Sequence, residues 1–141
     1  MKRIAVMVTL VGLIGVISLP VQAQPDCSSI EGRAVLDFGN NVGMARLLVD
    51  GSEQNVEFFS TGFRPTGPDS ADIRFVFFFD EGTLVVVEHS SPVPIGGDLQ
   101  SFDSPVDIRQ GGTGGMQWTG IANLATATAR FSVTGEVCFD R

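Results

Sequence analysis

The chain has no tyrosine and only one histidine, one tryptophan and one lysine among its 141 residues. Acidic residues outnumber basic ones by sixteen to nine, which gives a net charge of −7 at neutral pH. Without clusters of basic side chains, the chain lacks the usual electrostatic attraction to a phosphate backbone or an anionic lipid surface. One histidine and two cysteines do not supply the ligand sets of common zinc sites. These shortages argue against nucleic-acid binding, membrane binding and a bound metal, and we expect no cofactor.

The first 23 residues have the three parts of a secretion signal. Two basic residues, Lys2 and Arg3, precede an apolar run over residues 4–19, and a small-residue cleavage site ends at Ala23. The apolar run is shorter than the about 20 residues that a membrane-spanning helix needs. We predict cleavage after Ala23, one mature domain over residues 24–141 and a secreted or periplasmic location. Losing the signal leaves seven basic residues against sixteen acidic ones, a net charge of −9.

The two cysteines lie near the two ends of the mature chain. In the oxidising environment of an exported protein, we predict a disulfide between Cys27 and Cys138, with pairing between chains as the alternative. The bond closes a long loop, which stabilises the fold by up to about 4 to 5 kcal/mol through chain entropy. A redox role needs a resolving cysteine two residues from a reactive one, and the sequence has no such pair.

After the signal, short apolar runs alternate with glycine, proline, asparagine and aspartate, a pattern typical of strands joined by turns. We find no stretch of helical period and predict an all-β fold. Asp80, Glu81 and Gly82 predict a tight hairpin, because glycine readily adopts a positive φ. The predicted strands cover residues 29–37, 44–50, 55–63, 73–80, 83–89, 101–109, 116–122 and 124–139.

The last predicted strand has the clearest periodicity. Alanine, phenylalanine, valine or glycine stands at every odd position from 125 to 137, and polar or charged residues stand between them. This pattern indicates one buried and one exposed face. The length suits a tilted strand of a barrel, in which small alanines leave room for large neighbouring rings. Cys138 has the parity of the exposed face, so we expect the disulfide at the rim or on the outer wall.

The segment 73–79 reads Ile-Arg-Phe-Val-Phe-Phe-Phe and is apolar on both faces. Its outer face therefore needs cover. One interpretation is a core strand covered by the loop 90–98 or by a partner subunit. The other is a lumen lined with aromatic rings that receives an apolar ligand. The candidate ligand-binding residues are Arg74, Phe75, Phe77, Phe79 and Trp118.

Arg74 is the one charged residue of that segment. A buried guanidinium needs a carboxylate partner, and Glu57, Asp72 and Glu88 are the candidates on neighbouring strands. We interpret the expected pair as structural first and as catalytic second.

The remaining polar residues indicate no specific chemistry, and we assign no catalytic residue. No Gly-x-Ser-x-Gly motif accompanies His89, so we interpret it as a surface or strand-end residue. Asp98, Asp103 and Asp107 lie close together in sequence, but their spacing does not fit an EF-hand loop, and we expect solvated carboxylates.

Glycine is concentrated at positions 111–115, before Met116, Gln117, Trp118, Thr119 and Gly120. A phosphate-binding loop needs a following helix and usually a lysine, and neither is present. We predict a turn or bulge with positive φ instead.

The stretch 106–120 resembles the turn of allene oxide cyclase-like and dirigent-like β-barrels, where Gly-Gly-Thr-Gly precedes an aromatic residue, small residues and a glycine. The order of strands over residues 72–140 also resembles that group. Gly115 and Met116 replace the basic and aromatic residues common after the glycines, and the aromatic follows at Trp118.

The resemblance implies an eight-stranded antiparallel barrel, often oligomeric, with a lumen open at one end. Enzymatic relatives guide the cyclisation or coupling of reactive apolar intermediates by the shape of the cavity, so the fold alone does not establish catalysis. Three hypotheses follow, led by a non-catalytic exported barrel that binds an apolar small molecule or a protein partner. The others are a cyclase or isomerase of the resembling group and a structural oligomeric envelope protein.

Overall fold

The computed structural model describes residues 27–140, and the predicted signal over residues 1–23 lies outside them. The strands are β1 (Cys27–Asp37), β2 (Val42–Val49), β3 (Ser52–Gly67), β4 (Ser70–Phe79), β5 (Gly82–Ser90), β6 (Val93–Gly96), β7 (Leu99–Gln110), β8 (Gly112–Asn123) and β9 (Thr128–Phe139). Within the described range, no helix has the length and apolar character needed to cross a membrane.

Eight strands form a closed antiparallel barrel in the order β1, β2, β3, β4, β5, β7, β8, β9, with β9 pairing back to β1. The pairing of β5 with β7 closes the ring, and β6 lies outside it and pairs with the first residues of β7. A Cys27–Cys138 disulfide joins the first and last strands. The predicted all-β fold, eight-stranded antiparallel barrel and disulfide between the chain ends are confirmed.

The turns follow their residue types. The hairpin at Asp80 and Glu81 joins β4 to β5 as predicted. Gly111 joins β7 to β8 with φ at 86°, and a Cβ there would overlap the carbonyl oxygen of Thr83. Gly111 is therefore the predicted turn, and its backbone lies too close to β5 for a side chain, whereas the glycines from Gly112 onward belong to β8.

Most strand bounds differ from the predicted ones by one to four residues, and two departures from the prediction have a clear local cause. Residues 124–127 form a turn instead of the start of the last strand, because the Asn123 side chain accepts hydrogen bonds from the backbone N–H groups of Ala125 and Thr126, and Ala127 has φ at 55°. Strand β6 lies within the predicted loop 90–98, whose prolines and glycines are typical of loops. Of the two covers considered for the outer face of residues 73–79, the loop 90–98 leaves Phe78 47% exposed because its strand β6 pairs with β7, and cover by a partner subunit stays a prediction.

One half of the barrel interior is filled by large rings. Phe58 stacks on Phe77 with ring centroids 4.5 Å apart, and Phe79 packs edge-on against Phe139 at 5.3 Å. The Phe58 ring occupies the space above Gly43, its register partner on β2. This half includes the disulfide and the β2–β3, β4–β5 and β7–β8 turns, and we call it the packed end.

The opposite end, which we call the open end, is formed by the four remaining connections. These are residues 38–41, the β3–β4 hairpin around residues 60–71, residues 90–98 and residues 123–127. The ladder between β5 and β7 reaches Glu88 and Val106, beyond which β7 pairs with β6. The barrel wall is therefore less regular at this end than at the packed end.

Loss of the disulfide is expected to destabilise the barrel by up to about 4 to 5 kcal/mol, because the bond joins residues 111 positions apart and restricts the unfolded chain. Urea unfolding with and without reductant measures the effect. The double variant Cys27→Ser/Cys138→Ser should unfold like the reduced protein and ignore reductant. An unchanged unfolding midpoint after reduction would contradict this prediction.

The substitution Gly43→Ala is expected to destabilise the protein by roughly 1 to 3 kcal/mol, because the added methyl overlaps the Phe58 ring, which Phe77 holds in place. Gly62→Ala is the matched control, since a Cβ there meets Arg74 Cβ at an ordinary 3.6 Å. The measurement is the urea midpoint of each variant, and equal midpoints would show that the interior has room at Gly43.

Candidate ligand-binding cavity

A cavity of about 1400 Å³ enters the barrel from the open end. Its inner wall carries four aromatic rings from four strands, those of Phe75, Phe102, Trp118 and Phe131. Trp118 lies 4.9 Å from Phe131 and 5.2 Å from Phe75 between ring centroids, and Phe102 lies 5.7 Å from Phe131. The four rings are therefore in contact with one another, and we call the surface that they form the aromatic floor.

Inward and outward residues alternate along each strand, and this alternation determines which rings face the interior. Phe75, Phe77 and Phe79 share the inward face of β4, while Arg74, Val76 and Phe78 share the outward face. Of the inward three, Phe75 lines the cavity, and Phe77 and Phe79 are buried in the packed half. Among the predicted ligand-binding residues, Phe75 and Trp118 therefore come together at the cavity floor, and Phe77 and Phe79 lie beneath it.

Arg74 is exposed on the outer wall, directly opposite Val87 of β5. The prediction of a buried guanidinium with a carboxylate partner is therefore wrong. Position 74 alternates with the inward phenylalanines, so the Arg74 side chain lies on the outer face. Its three expected partners also have other surroundings, since Glu57 is exposed, Asp72 pairs with other groups and Glu88 faces the interior.

Glu88 is the buried acid of the cavity. It lies on the inward face of β5 after Leu84 and Val86, is 6% exposed and lines the cavity. Burial raises the pKa of Glu88, and the Ser104 hydroxyl and the nearby His89 charge oppose the rise. A carboxyl group at this position is therefore more easily neutral than one in water.

Two further buried polar atoms belong to Ser104 and to Trp118, one of the rings of the aromatic floor. Ser104 and Trp118 are register partners on β7 and β8, and both are at most 1% exposed. Within the described structure, neither Ser104 Oγ nor Trp118 Nε1 has a hydrogen-bond partner. The Ser104 hydroxyl nevertheless lowers the pKa of the Glu88 carboxyl group. A serine O–H rotates freely, so this hydroxyl is available to donate to the Glu88 carboxyl group.

The charges around the cavity have one sign. Its charged lining residues are Glu88, deep inside, and Asp69, exposed in the β3–β4 turn. Among the described lining residues there is no arginine, lysine or histidine. The mouth also carries exposed apolar side chains, among them Phe63, which is 69% exposed, and Val93.

His89 forms an ionic network on the outer wall. Its Nδ1 lies 2.7 Å from Asp72 Oδ1 and its Nε2 lies 2.7 Å from Asp107 Oδ2. Both ring nitrogens can donate to carboxylates only in the protonated imidazolium. The hydrogen bonds to Asp107 and Asp72 accordingly raise the pKa of His89, and those from His89 and Arg64 lower the pKa of Asp72. The network joins β4, β5 and β7 across the seam that closes the barrel.

Two of the three aspartates considered for calcium have separate partners, and the third, Asp98, is exposed between β6 and β7. Asp103 accepts hydrogen bonds from Gln117 Nε2 at 2.6 Å and Thr119 Oγ1 at 2.9 Å, which lower its pKa. Asp107 pairs with His89. Their proximity in sequence therefore does not reflect a common site.

Sequence reasoning missed Glu88, Phe102 and Phe131 as cavity residues. The signal for Glu88 was its parity, because it continues the inward series Leu84 and Val86. Phe131 was recognised as inward-facing, but the cross-strand register that joins it to Trp118 depends on tertiary structure. Comparison of the chain with protein-family models, curated proteins and solved structures found no significant match.

Replacing His89 by asparagine is expected to remove a pH-dependent part of the stability. The folded pKa of His89 is raised, so its contribution is fully present below the unfolded value of about 6.5 and is lost as pH rises through the folded pKa. Urea unfolding across this range, followed by Trp118 fluorescence, should show a fall for the wild type and a flatter profile for His89→Asn. Parallel profiles for the two proteins would contradict the assignment.

Proposed function

We propose that this protein is an exported, non-catalytic barrel that binds an apolar small molecule in the open half of its lumen. The observation that carries the proposal is the aromatic-floored cavity of about 1400 Å³ at one end of a barrel whose other end is packed. A concave site with mostly apolar walls and few polar groups is the usual form of a small-molecule site.

The energetics favour an apolar occupant. The cavity lining is mostly apolar, and covering the part of it that water reaches contributes roughly 25 cal/mol per Å² of apolar surface, while the rings of Phe75, Phe102 and Phe131 at the floor are already buried. The exposed side chains of Phe63 and Val93 at the mouth extend the apolar surface outward along the path of entry.

Export is supported by two features. The sequence has the three parts of a secretion signal, and the Cys27–Cys138 disulfide is compatible with an oxidising location outside the cytoplasm. We infer a secreted or periplasmic protein, and the oligomeric state that the family resemblance implies stays a prediction.

The other two hypotheses have less support from the fold. A cyclase of the allene oxide cyclase or dirigent type was expected to bring Arg74 and a carboxylate together inside the lumen, and Arg74 lies outside. A purely structural barrel was expected to have a packed lumen, and this lumen is open at one end. Binding therefore accounts for more of the observed geometry than either alternative.

Binding is tested with N-phenyl-1-naphthylamine, a neutral apolar dye whose fluorescence rises in apolar surroundings. We expect saturable binding to the mature protein, and we expect Ala122→Phe to weaken it by about tenfold, because the added ring occupies space in the cavity wall. Ala125→Phe is the control, since Ala125 is exposed in the β8–β9 turn and does not line the cavity.

Circular dichroism establishes that both variants are folded. Absence of saturable dye binding to the wild type, or equal loss in both variants, would contradict the proposal.

A further inference from the structure

Glu88 is a buried acid that faces the cavity without a basic partner. It is 6% exposed, and none of the ion pairs among residues 27–140 includes it. An ionised carboxylate in apolar surroundings is costly unless a positive charge pairs with it. The lining residues supply no positive charge, so a ligand entering the cavity is the available source.

The aromatic floor is suited to the same charge. The faces of aromatic rings carry negative potential and attract cations that lie within about 6 Å of the ring centre. Trp118, the most effective ring type for this interaction, contacts Phe75 and Phe131 at centroid distances of 5.2 and 4.9 Å. Phe75, Trp118, Phe131 and Glu88 therefore line the same cavity.

The charge at the cavity mouth and the net charge of the whole chain are negative, like that of ionised Glu88. Asp69 lies at the mouth, and the chain as a whole has a net charge of −7. Such a field attracts cations and repels anions such as fatty acids. A neutral ligand would gain nothing from this field and would leave the neutral form of Glu88 favoured.

We propose that the ligand is a cationic amphiphile, with an apolar body and a single positively charged nitrogen that lies against Glu88 and the aromatic floor. The assignment rests on the proposed ligand-binding function and specifies its chemical class. Amines and quaternary ammonium groups share this chemistry. The ionised carboxylate supplies the counter-charge, and the Ser104 hydroxyl behind it is available to donate a hydrogen bond to it.

Proton release accompanies this mode of binding. Burial favours the neutral form of Glu88 in the empty cavity, and the cation requires the ionised form, so binding displaces a proton. Affinity for a permanent cation should therefore increase as pH rises through the titration of Glu88 and then level off. A neutral ligand that accepts a hydrogen bond from protonated Glu88 would show the opposite trend.

The other titratable groups near Glu88 lie either on the outer side of the barrel wall or at the cavity mouth. Asp69 lies at the mouth of the cavity. The charged groups on the outer faces of β4, β5 and β7 are Asp72, Arg74, His89, Asp103, Asp107 and Arg109, and the charge of His89 is the one that acts on Glu88. His89→Asn is therefore included to separate its effect from that of Glu88.

The test compares three probes with the same chain length, decyltrimethylammonium, 1-decanol and decanoate, below their aggregation concentrations. Trp118 is the chain's only tryptophan, and there is no tyrosine, so intrinsic fluorescence reports on the cavity floor. Calorimetry in two buffers of different ionisation enthalpy measures the proton released.

For the wild type we expect decyltrimethylammonium to bind most tightly, with affinity increasing with pH. Glu88→Gln preserves the shape of the side chain and should weaken this cation by about tenfold or more while removing the pH dependence. Asp69→Asn is the matched control and should change the affinity by less, because Asp69 is exposed at the mouth. The pH dependence should persist in His89→Asn.

The outcomes separate the two proposals. Binding of 1-decanol or decanoate at least as tight as that of decyltrimethylammonium would overturn the cationic assignment and leave an apolar site. Unchanged cation affinity in Glu88→Gln would overturn it as well. Failure of all three probes and of N-phenyl-1-naphthylamine would overturn the binding function itself.

Discussion

A closed eight-stranded barrel must fill its interior with the side chains of every second residue, and the rest of this structure depends on how that constraint is met. In the packed half, stacked rings such as Phe58 and Phe77 fill the space, and Gly43 leaves room for them. Toward the open end the same alternation continues, but the inward residues no longer reach across the barrel. The cavity is therefore a consequence of incomplete filling within a regular fold.

Strand β5 combines two opposite electrostatic situations in adjacent residues. Glu88 faces inward, where burial favours its neutral form, and His89 faces outward, where two carboxylates favour its charged form. The outer network holds β5 against β4 and β7, and the inner carboxyl group lies at the cavity wall of the same strand. The ion pairs of His89 on the outer wall therefore help to hold the strand that positions Glu88 in the cavity.

Much of the fold followed from local patterns. Alternation and turn residues were enough to predict the all-β class, the Asp80–Glu81 hairpin and the glycine turn near Gly111, and the two cysteines were enough to predict their bond. Segment 73–79 was harder, because both faces are apolar and period two alone does not say which face is inside. Arg74 was for this reason placed among the candidate site residues, although the structure places it on the outer wall.

The site itself depended on register, which short segments do not encode. Glu88, Ser104 and Trp118 lie on three different strands, and their proximity results from the pairing of β5 with β7 and of β7 with β8. Strand β6 is short and contains a proline and a glycine, so its sequence alone shows no strand pattern. It is a strand because it pairs with β7.

The position of the disulfide also determines how the barrel can be attached to something else. Cys27 and Cys138 are register partners at the packed end, and β1 continues for eleven residues toward the open end. At a rise of about 3.3 Å per residue, the cavity mouth lies roughly 35 Å of strand away from both cysteines. A linker fused before residue 27 or after residue 140 would therefore leave from the side opposite the mouth. Immobilised through either terminus, the barrel would present its cavity to the solution.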